Sequence, residues 1–306
     1  MDPNLQFWRA EGQSFFQRFL LWADVLDPLL LLKSSDEIRR ARLFLQNSEK
    51  TLSEPIQNEQ VFWSASSVHP DTDKIIPVMF RPPGILNHKF IFAYNLSFLQ
   101  FVFHTYTTGF ALLNGNGTTK VEENVLHEKQ IIYGLGAISY AACIGALPLI
   151  FMNRYTLKSS LAQLVIKQLL PAPILGLMSA FTVAVVRSPE FENGIEVMDR
   201  NGKVVGVSQK AGEKAVKETA LSRAALFGTT FFLPAVLMHF VGRAKFAKTP
   251  RALASVRMLL ITSILTGMLP VSLSLFPQCG EIKRADLEPE ILSSTEEAKL
   301  FYNRGI

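Results

Sequence analysis

The stretch MLLITSILTGMLPVSLSLFP, residues 258–277, carries no charged side chain. Its length matches the roughly 20 apolar residues that a helix needs to cross the hydrocarbon core of a bilayer. Four further windows of similar length also lack Asp, Glu, Lys and Arg: Phe90–Leu113, Ile131–Met152, Gln168–Val186 and Ala224–Val241. A soluble all-α protein is the weaker alternative, because long buried helices rarely lack charge all round. The sequence therefore predicts an all-α multi-pass membrane protein with about five transmembrane helices.

The composition of the 306 residues agrees with a lipid environment. Hydrophobic residues make up 48% of the chain and charged residues 19%, which is little charge for a water-soluble surface. The same composition excludes a disordered chain. A formal net charge of +5 fits either nucleic acid or an anionic membrane surface. The apolar windows decide for the membrane, so we expect no nucleic-acid partner.

The sequence gives no sign of a cofactor, a metal site or a catalytic centre. Cys143 and Cys279 are the only cysteines, too few for a disulfide framework or for the about four ligands of a zinc or iron–sulfur site. There is no phosphate-binding loop, nucleophile elbow or HExxH motif, and the windows hold no paired acid and base residues. We predict that the chain is not an enzyme and binds no cofactor.

The windows divide the chain into three parts. Residues 1–89 form an N-terminal amphipathic helical segment, residues 90–277 the five-span membrane domain, and residues 278–306 a C-terminal tail. Basic residues in the short links around 154–158 and 243–251 favour the N-terminus on the non-translocated side of the membrane. The acidic residues Asp2 and Glu11 disfavour a cleavable presequence, so we expect internal targeting information.

The N-terminal segment is predicted to contain three helices. Its first helical face carries mainly aromatic residues: Trp8, Phe15, Phe19, Trp22 and Leu26. This face suits the membrane interface and packing on the helix bundle equally well. Ser34 and Glu37 form a capping-box pattern for a second helix that ends near Gln46. A third helix is expected from Pro55 to Ser67.

The link from residue 187 to residue 223 predicts a small extramembrane module. Two valine-rich stretches flank Asn201-Gly202, a pair that suits a type I′ hairpin turn. A helical stretch from Ala211 to Arg223 follows and is expected to continue into the next window. The module is therefore a hairpin followed by a helix.

Three histidines are candidate functional residues. His69-Pro70-Asp71 suggests a metal or acid–base site, but one intervening proline makes a poor chelate and a rigid turn is favoured. His104 and His239 lie within apolar windows, where an ionisable side chain is a functional candidate. A neutral imidazole that is hydrogen-bonded within the bundle is the less costly alternative.

The sequence resembles the sideroflexin family. The matching motifs are His69-Pro70-Asp71-Thr72 with Pro77 and Arg81, the loop from Gly194 to Arg223, and Phe276-Pro277-Gln278. The resemblance implies a multi-pass protein of the mitochondrial inner membrane, surrounded by inner-membrane lipids. In that membrane, the basic links predict an N-terminus on the matrix side. Typical members carry serine and related small amino acids. The divergent branch that this chain most resembles is associated with respiratory complex I assembly and with iron–sulfur and iron homeostasis.

The chain departs from typical members near the end of the first window. Thr105-Tyr106-Thr107 stands where they have Asn-Gln-Ser, and Gly109-Phe110 where they have Asn-Ala. A zwitterion that crosses hydrocarbon needs several polar partners. The loss of these amides therefore weakens the hypothesis that the chain transports amino acids. We therefore predict a complex I assembly factor with an indirect iron role. Its partners would be complex I subunits or assembly factors.

The alternative function is a carrier of serine or another small amino acid. In that case, polar groups of the first span and helix breaks at the prolines would line a path. The family-signature and candidate path-lining residues are His69, Pro70, Asp71, His104, Asn114, Asn116, Pro171, Pro270 and Pro277.

Overall fold

A computed structural model describes residues 2–47, 55–87, 97–116, 131–140, 143–144, 170–241 and 249–306. Most of these residues are helical. The helices are α1 (Pro3–Glu11), α2 (Phe15–Val25), α3 (Ser35–Asn47), α4 (Pro55–Ser67), α5 (Ser97–Asn114), α6 (Ile131–Tyr140), α7 (Pro171–Val186), α8 (Pro189–Asn193), α9 (Gln209–Val241), α10 (Pro250–Ser274) and α11 (Pro289–Ser294). The strands are β1 (Ile195–Met198), β2 (Val204–Ser208), β3 (Cys279–Lys283) and β4 (Lys299–Asn303). Short 3₁₀ helices cover Pro28–Leu32, Val78–Phe80, Pro82–Asn87 and Arg284–Asp286.

Two of the described helices, α9 and α10, are long and apolar enough to cross a bilayer. Helix α9 has 33 residues, which confirms that the helix of the extramembrane module continues into the predicted fourth span. The described parts of the other three windows form α5, α6 and α7. Their remaining residues (90–96, 141–142, 145–152 and 168–169) lie outside the described residues, so five spans stay a prediction.

The expectation of an all-α fold is wrong in one respect, because the described residues include a four-stranded sheet. Its order is β2-β1-β4-β3, and every neighbouring pair is antiparallel. The β1–β2 hairpin is the predicted one, whereas β3 and β4 come from the residues predicted as a C-terminal tail. Strand β4 pairs with β1 and so covers an edge that the hairpin alone would leave open.

The sheet packs one face on the start of helix α9. The buried residues of this small core are Ile195, Val197, Ala211, Ala215, Ile282, Leu287, Ile291, Leu300 and Tyr302. Tyr302 and Leu300 are fully buried. The C-terminal residues are therefore part of the folded core of the module.

The turn of the hairpin differs from the predicted type I′ turn. A type I′ turn needs positive φ at both central residues. Gly202 has φ +81°, whereas Asn201 is not at positive φ. The amide of Gly202 donates to the carbonyl of Asp199 (3.0 Å), and the amide of Asp199 donates to the carbonyl of Lys203 (2.9 Å). These bonds close a three-residue loop with a left-handed glycine at its end.

The N-terminal aromatic face is divided between two helices. Helix α1 ends before Gly12, and a capping box between Ser14 and Gln17 begins α2. The rings of Trp8 and Trp22 lie 4.6 Å apart and are buried in the core that α9 and α10 share. The segment therefore packs on the bundle through these two tryptophans.

The other two N-terminal helices agree with the sequence. Ser34 and Glu37 form the predicted reciprocal cap in front of α3, because the Glu37 amide donates to Ser34 Oγ (3.2 Å) and the Ser34 amide to Glu37 Oε2 (2.8 Å). Helix α4 spans the predicted Pro55–Ser67. Aromatic and leucine side chains on the outer side of α2, the first 3₁₀ helix and α3 remain exposed: Phe16, Leu20, Leu29, Leu32, Leu43 and Phe44.

Candidate functional site

Buried polar side chains meet at the ends of α5, α7 and β4. We call eight of them the polar cluster, and each is more than nine-tenths buried: His69, Asn114, Asn116, Arg187, Glu190, Gln278, Asn303 and Arg304. Burial of a polar group is unfavourable unless hydrogen bonds replace its contacts with water. The hydrogen-bond partners of the cluster therefore decide what it does.

An ion pair between Arg187 and Glu190 lies at the centre of the cluster. Arg187 caps the C-terminus of α7, and Glu190 is in the first turn of α8. The guanidinium donates to both carboxylate oxygens, from Nε to Oε1 at 2.5 Å and from Nη2 to Oε2 at 2.9 Å. It also donates to Thr219 Oγ1 (3.0 Å) and to the carbonyl of Arg304 (2.7 Å). The pair thus joins α7 and α9 to the C-terminal segment, residues 278–306.

The two asparagines at the end of α5 continue this network. Asn116 Nδ2 donates to Glu190 Oε2 (3.0 Å) and to the carbonyl of Asn303 (2.8 Å). Asn114 Nδ2 donates to the carbonyls of Phe80 and Phe110, both at 2.9 Å. Both side-chain amides therefore use their N–H groups on the protein itself.

The His69-Pro70-Asp71 motif contacts both the end of α5 and the C-terminal residues. His69 Nε2 is 2.6 Å from the carbonyl of Gly115, and His69 Nδ1 is 3.2 Å from the amide of Asp71. A carbonyl only accepts and an amide only donates, so these bonds fit the tautomer with the proton on Nε2. The Asp71 carboxylate accepts a hydrogen bond from Asn303 Nδ2 (2.9 Å). The motif is a turn that ties three chain segments together, as the preferred interpretation of the sequence predicts.

The residues after β4 make hydrogen bonds to α10, to Gln278 and to the end of α5. Arg304 Nη2 donates to the carbonyl of Leu273 (3.2 Å) and to Gln278 Oε1 (3.3 Å), and the amide of Ile306 donates to the carbonyl of Asn114 (3.0 Å). Gly305 has φ +71°, and an added Cβ would lie 2.8 Å from Arg187 Nη2. Glycine is therefore required here for both its conformation and its size.

Burial shifts the ionisation of groups at the end of the chain. Burial lowers the pKa of Arg304 to about 10, while the nearby Glu218 carboxylate acts in the opposite direction. Burial and the same carboxylate raise the pKa of Tyr302, whose hydroxyl donates to Glu218 Oε2 at 3.2 Å. Arg304 still carries its charge at neutral pH, so the protein interior has to supply its partners.

The structure brings together only some of the candidate residues. His69, Asp71, Asn114 and Asn116 meet in or beside the polar cluster. Pro70 lies between His69 and Asp71, and Pro277 precedes Gln278 of the cluster. His104 is buried in α5, and Pro171 is the first residue of α7. Pro270 lies within α10 and lines a separate cavity.

Sequence reasoning missed Arg187, Glu190 and Arg304. The opposite charges of Arg187 and Glu190, three residues apart directly after an apolar window, were a usable signal for an ion pair. Nothing in the local sequence indicates that Arg304 is buried, because its partners come from residues far away in the chain.

The separate cavity has a volume of about 840 Å³ and lies between α2, α4 and α10. Its lining includes Asp24, Lys33, Glu59, Trp63 and Pro270. The Lys33 ammonium lies 4.0 Å from the centre of the Trp63 ring, a cation–π contact. Burial and the neighbouring carboxylate of Asp27 raise the pKa of Asp24. The cavity therefore offers charges of both signs next to an aromatic wall.

Comparisons with known proteins agree with the motifs of the sequence. A family model described as Sideroflexins matches residues 2–306. The chain is 46% identical to Sideroflexin-4 of Danio rerio and 38% identical to Sideroflexin-4 of Bos taurus, in each case with all of both chains covered. It is 34% identical to Sideroflexin-4 of Homo sapiens, with all of this chain and 93% of the human one covered. No solved structure matches.

The family match spans the motifs described above, from His69-Pro70-Asp71 to Phe276-Pro277-Gln278. It confirms the resemblance on which the sequence interpretation relied. Together with the long apolar helices α9 and α10, it identifies the chain as a membrane protein that belongs to the sideroflexin family.

Proposed function

We propose that this sideroflexin acts in the mitochondrial inner membrane as an assembly factor for respiratory complex I. Its contribution to iron–sulfur and iron homeostasis would follow indirectly from that role. The similarity to several Sideroflexin-4 proteins supports this choice, because it is the branch for which the resemblance implies complex I assembly.

The observation that carries the proposal is the hydrogen bonding of the residues expected to line a transport path. Asn114 and Asn116 use their side-chain N–H groups on carbonyls and on a carboxylate of the chain itself. His69 and Asp71 are likewise bonded to Gly115 and Asn303. The N–H groups of the two asparagines cannot replace the water around a zwitterion without breaking these bonds. The arrangement favours a protein that binds partners over one that moves a solute through this region.

A surface for such partners is available on α6. Gly136 is exposed, and a Cβ added there would meet nothing within 4 Å. Its neighbours Ile132 and Leu135 are 65% and 57% exposed. Small residues allow helices in a membrane to approach each other closely, so this face suits a transmembrane helix of a partner subunit.

The first experiment deletes the protein and measures complex I holoenzyme on native gels together with mitochondrial serine import. We expect loss of holoenzyme with serine import preserved. Normal complex I together with reduced serine import would reject the proposal. Purification in mild detergent is expected to recover complex I subunits or their assembly factors with the protein.

Two glycine variants test the α6 surface. We expect Gly136→Leu to reduce complex I while the chain accumulates normally, because the new side chain enters open space. Gly134→Leu is the matched comparison, since a Cβ there lies 3.1 Å from Thr108 and disturbs internal packing instead. Full complementation by Gly136→Leu would exclude this face as the partner site.

A carrier of serine or another small amino acid is the second candidate. The large cavity favours it, because Lys33 offers a positive charge, and Asp24 and Glu59 offer carboxyl groups. Pro270 also lines this cavity, but α10 continues through this proline to Ser274, so the helix break that the path hypothesis expects is not present there. Uptake of labelled serine by liposomes with the purified protein, above that of empty vesicles and reduced by Glu59→Gln, would support the carrier.

The iron role is proposed to need no metal bound through the two cysteines. Cys143 is exposed and Cys279 is buried, and they are far apart in sequence. We expect a Cys143→Ser, Cys279→Ser double variant to keep complex I levels. Loss of complex I in this variant would point to direct ligation.

A further inference from the structure

A small second cavity, of about 30 Å³, lies between the N-terminal segment, the end of α5 and the C-terminal residues. Asn4 of α1, Trp22 of α2 and Asn114 of α5 all line it, and each is at least 95% buried. Each also carries one buried polar atom that has no hydrogen-bond partner among the residues that the structure describes: Asn4 Oδ1, Trp22 Nε1 and Asn114 Oδ1. Three residues from three different helices, each with an unpaired buried polar atom, therefore line one cavity.

Two further polar side chains that line this cavity, those of His69 and Gln278, are already paired. His69 uses both ring nitrogens, and the amide group of Gln278 bonds to Asn303 and Arg304. The orientation of the Asn114 amide is fixed, because its two N–H groups donate to the carbonyls of Phe80 and Phe110. Its oxygen must therefore be the atom left without a donor.

The three unpaired atoms define the chemistry of their missing partner. The indole N–H of Trp22 only donates, so it needs an acceptor. The amide oxygens of Asn4 and Asn114 only accept, so each needs a donor. A molecule with one accepting and two donating positions satisfies all three, and water has this pattern. A buried water needs roughly 10–15 Å³ or more and two to four polar partners, which this cavity provides.

We propose that this cavity is a binding site for one ordered water molecule that joins α1, α2 and the end of α5. The water accepts from Trp22 Nε1 and donates to the side-chain oxygens of Asn4 and Asn114. It stabilises the docking of the N-terminal segment, because without it three buried polar groups lose their hydrogen bonds. This site is independent of the complex I and carrier proposals.

The test is a cryo-electron microscopy map of the full chain in lipid nanodiscs, at a resolution of about 2 Å where ordered waters are visible. We expect one density peak in the cavity at about 3 Å from each of the three atoms. An Asn4→Leu variant is expected to lose the peak. A Gln6→Leu variant in the same helix, at an exposed position away from the cavity, is expected to keep it.

Three results would overturn the proposal. The first is a wild-type map with no peak in the cavity. The second is direct pairing of Trp22 Nε1 with an asparagine oxygen, and the third is density too large for a water. If Asn4→Leu does not fold, Trp22→Phe provides the second variant, because it keeps an aromatic ring but removes the indole N–H donor together with the five-membered ring. It is expected to weaken or shift the peak, and an unchanged peak would count against the proposal.

Discussion

Substitution of Glu190 by glutamine tests the reasoning about the polar cluster most directly. The carboxylate accepts two hydrogen bonds from Arg187, at 2.5 and 2.9 Å, and two from Asn116, at 3.0 and 3.3 Å. Glutamine has the same shape, but it has no charge, and its NH₂ group would face N–H donors of Arg187 and Asn116 that now bond to the carboxylate. Arg187 would then be a buried cation without an anion, which is unfavourable by about 3–5 kcal/mol.

The assay is thermal unfolding of the purified protein in detergent, followed by tryptophan fluorescence. At about 2 °C per kcal/mol for a chain of this length, Glu190→Gln should lower the melting temperature by roughly 6–10 °C. Glu192→Gln is the control, because Glu192 lies in the same helix α8 with its side chain exposed. It should change the free energy of unfolding by no more than about 0.5 kcal/mol. If both variants melt like the wild type, the ion pair does not hold the cluster together.

Three further predictions address the C-terminal segment and α2. Gly305→Ala should destabilise the fold by roughly 1–2 kcal/mol or more, because alanine disfavours the left-handed backbone and its Cβ would approach Arg187; an unchanged melting temperature would contradict this. Burial raises the pKa of Cys279 to about 12, so only about one thiol in ten thousand is ionised at pH 8. In a Cys143→Ser background, maleimide labelling should be slow until the protein is denatured, and rapid labelling of the native protein would refute the burial of this thiol. Ser14→Ala should destabilise the protein by about 1 kcal/mol, because it removes the cap of α2, whereas Ser14→Asp should retain most of the stability in the same thermal assay.

Several features could be predicted from the sequence because their causes are local. The capping box at Ser34 and Glu37 lies within four residues, and the structure has the predicted helix after it. The β1–β2 hairpin follows from two valine-rich stretches that flank a glycine turn. Its turn type was wrong, because a hydrogen bond between Asp199 and Lys203 extends the loop by one residue and leaves only Gly202 at positive φ.

The candidate site depends on contacts between distant parts of the chain. Asn116 and Asn303 are 187 residues apart in the chain, so no local sequence pattern could predict their hydrogen bond. The sequence marked His69, Asn114 and Asn116 as family-signature or candidate path-lining residues, and it gave no indication that they support the C-terminal strand. The partners Arg187, Glu190 and Arg304 have no local pattern that reveals their burial as a group.

The length of the five charge-free windows determined that this chain belongs in a lipid environment, because the thickness of a bilayer sets the length of an apolar helix directly. Family membership likewise follows from residues read in order along the chain. Only the tertiary structure decided that the last residues form two strands and enter a polar interior. Strand pairing and the neutralisation of buried charge depend on groups that approach each other only after the chain has folded.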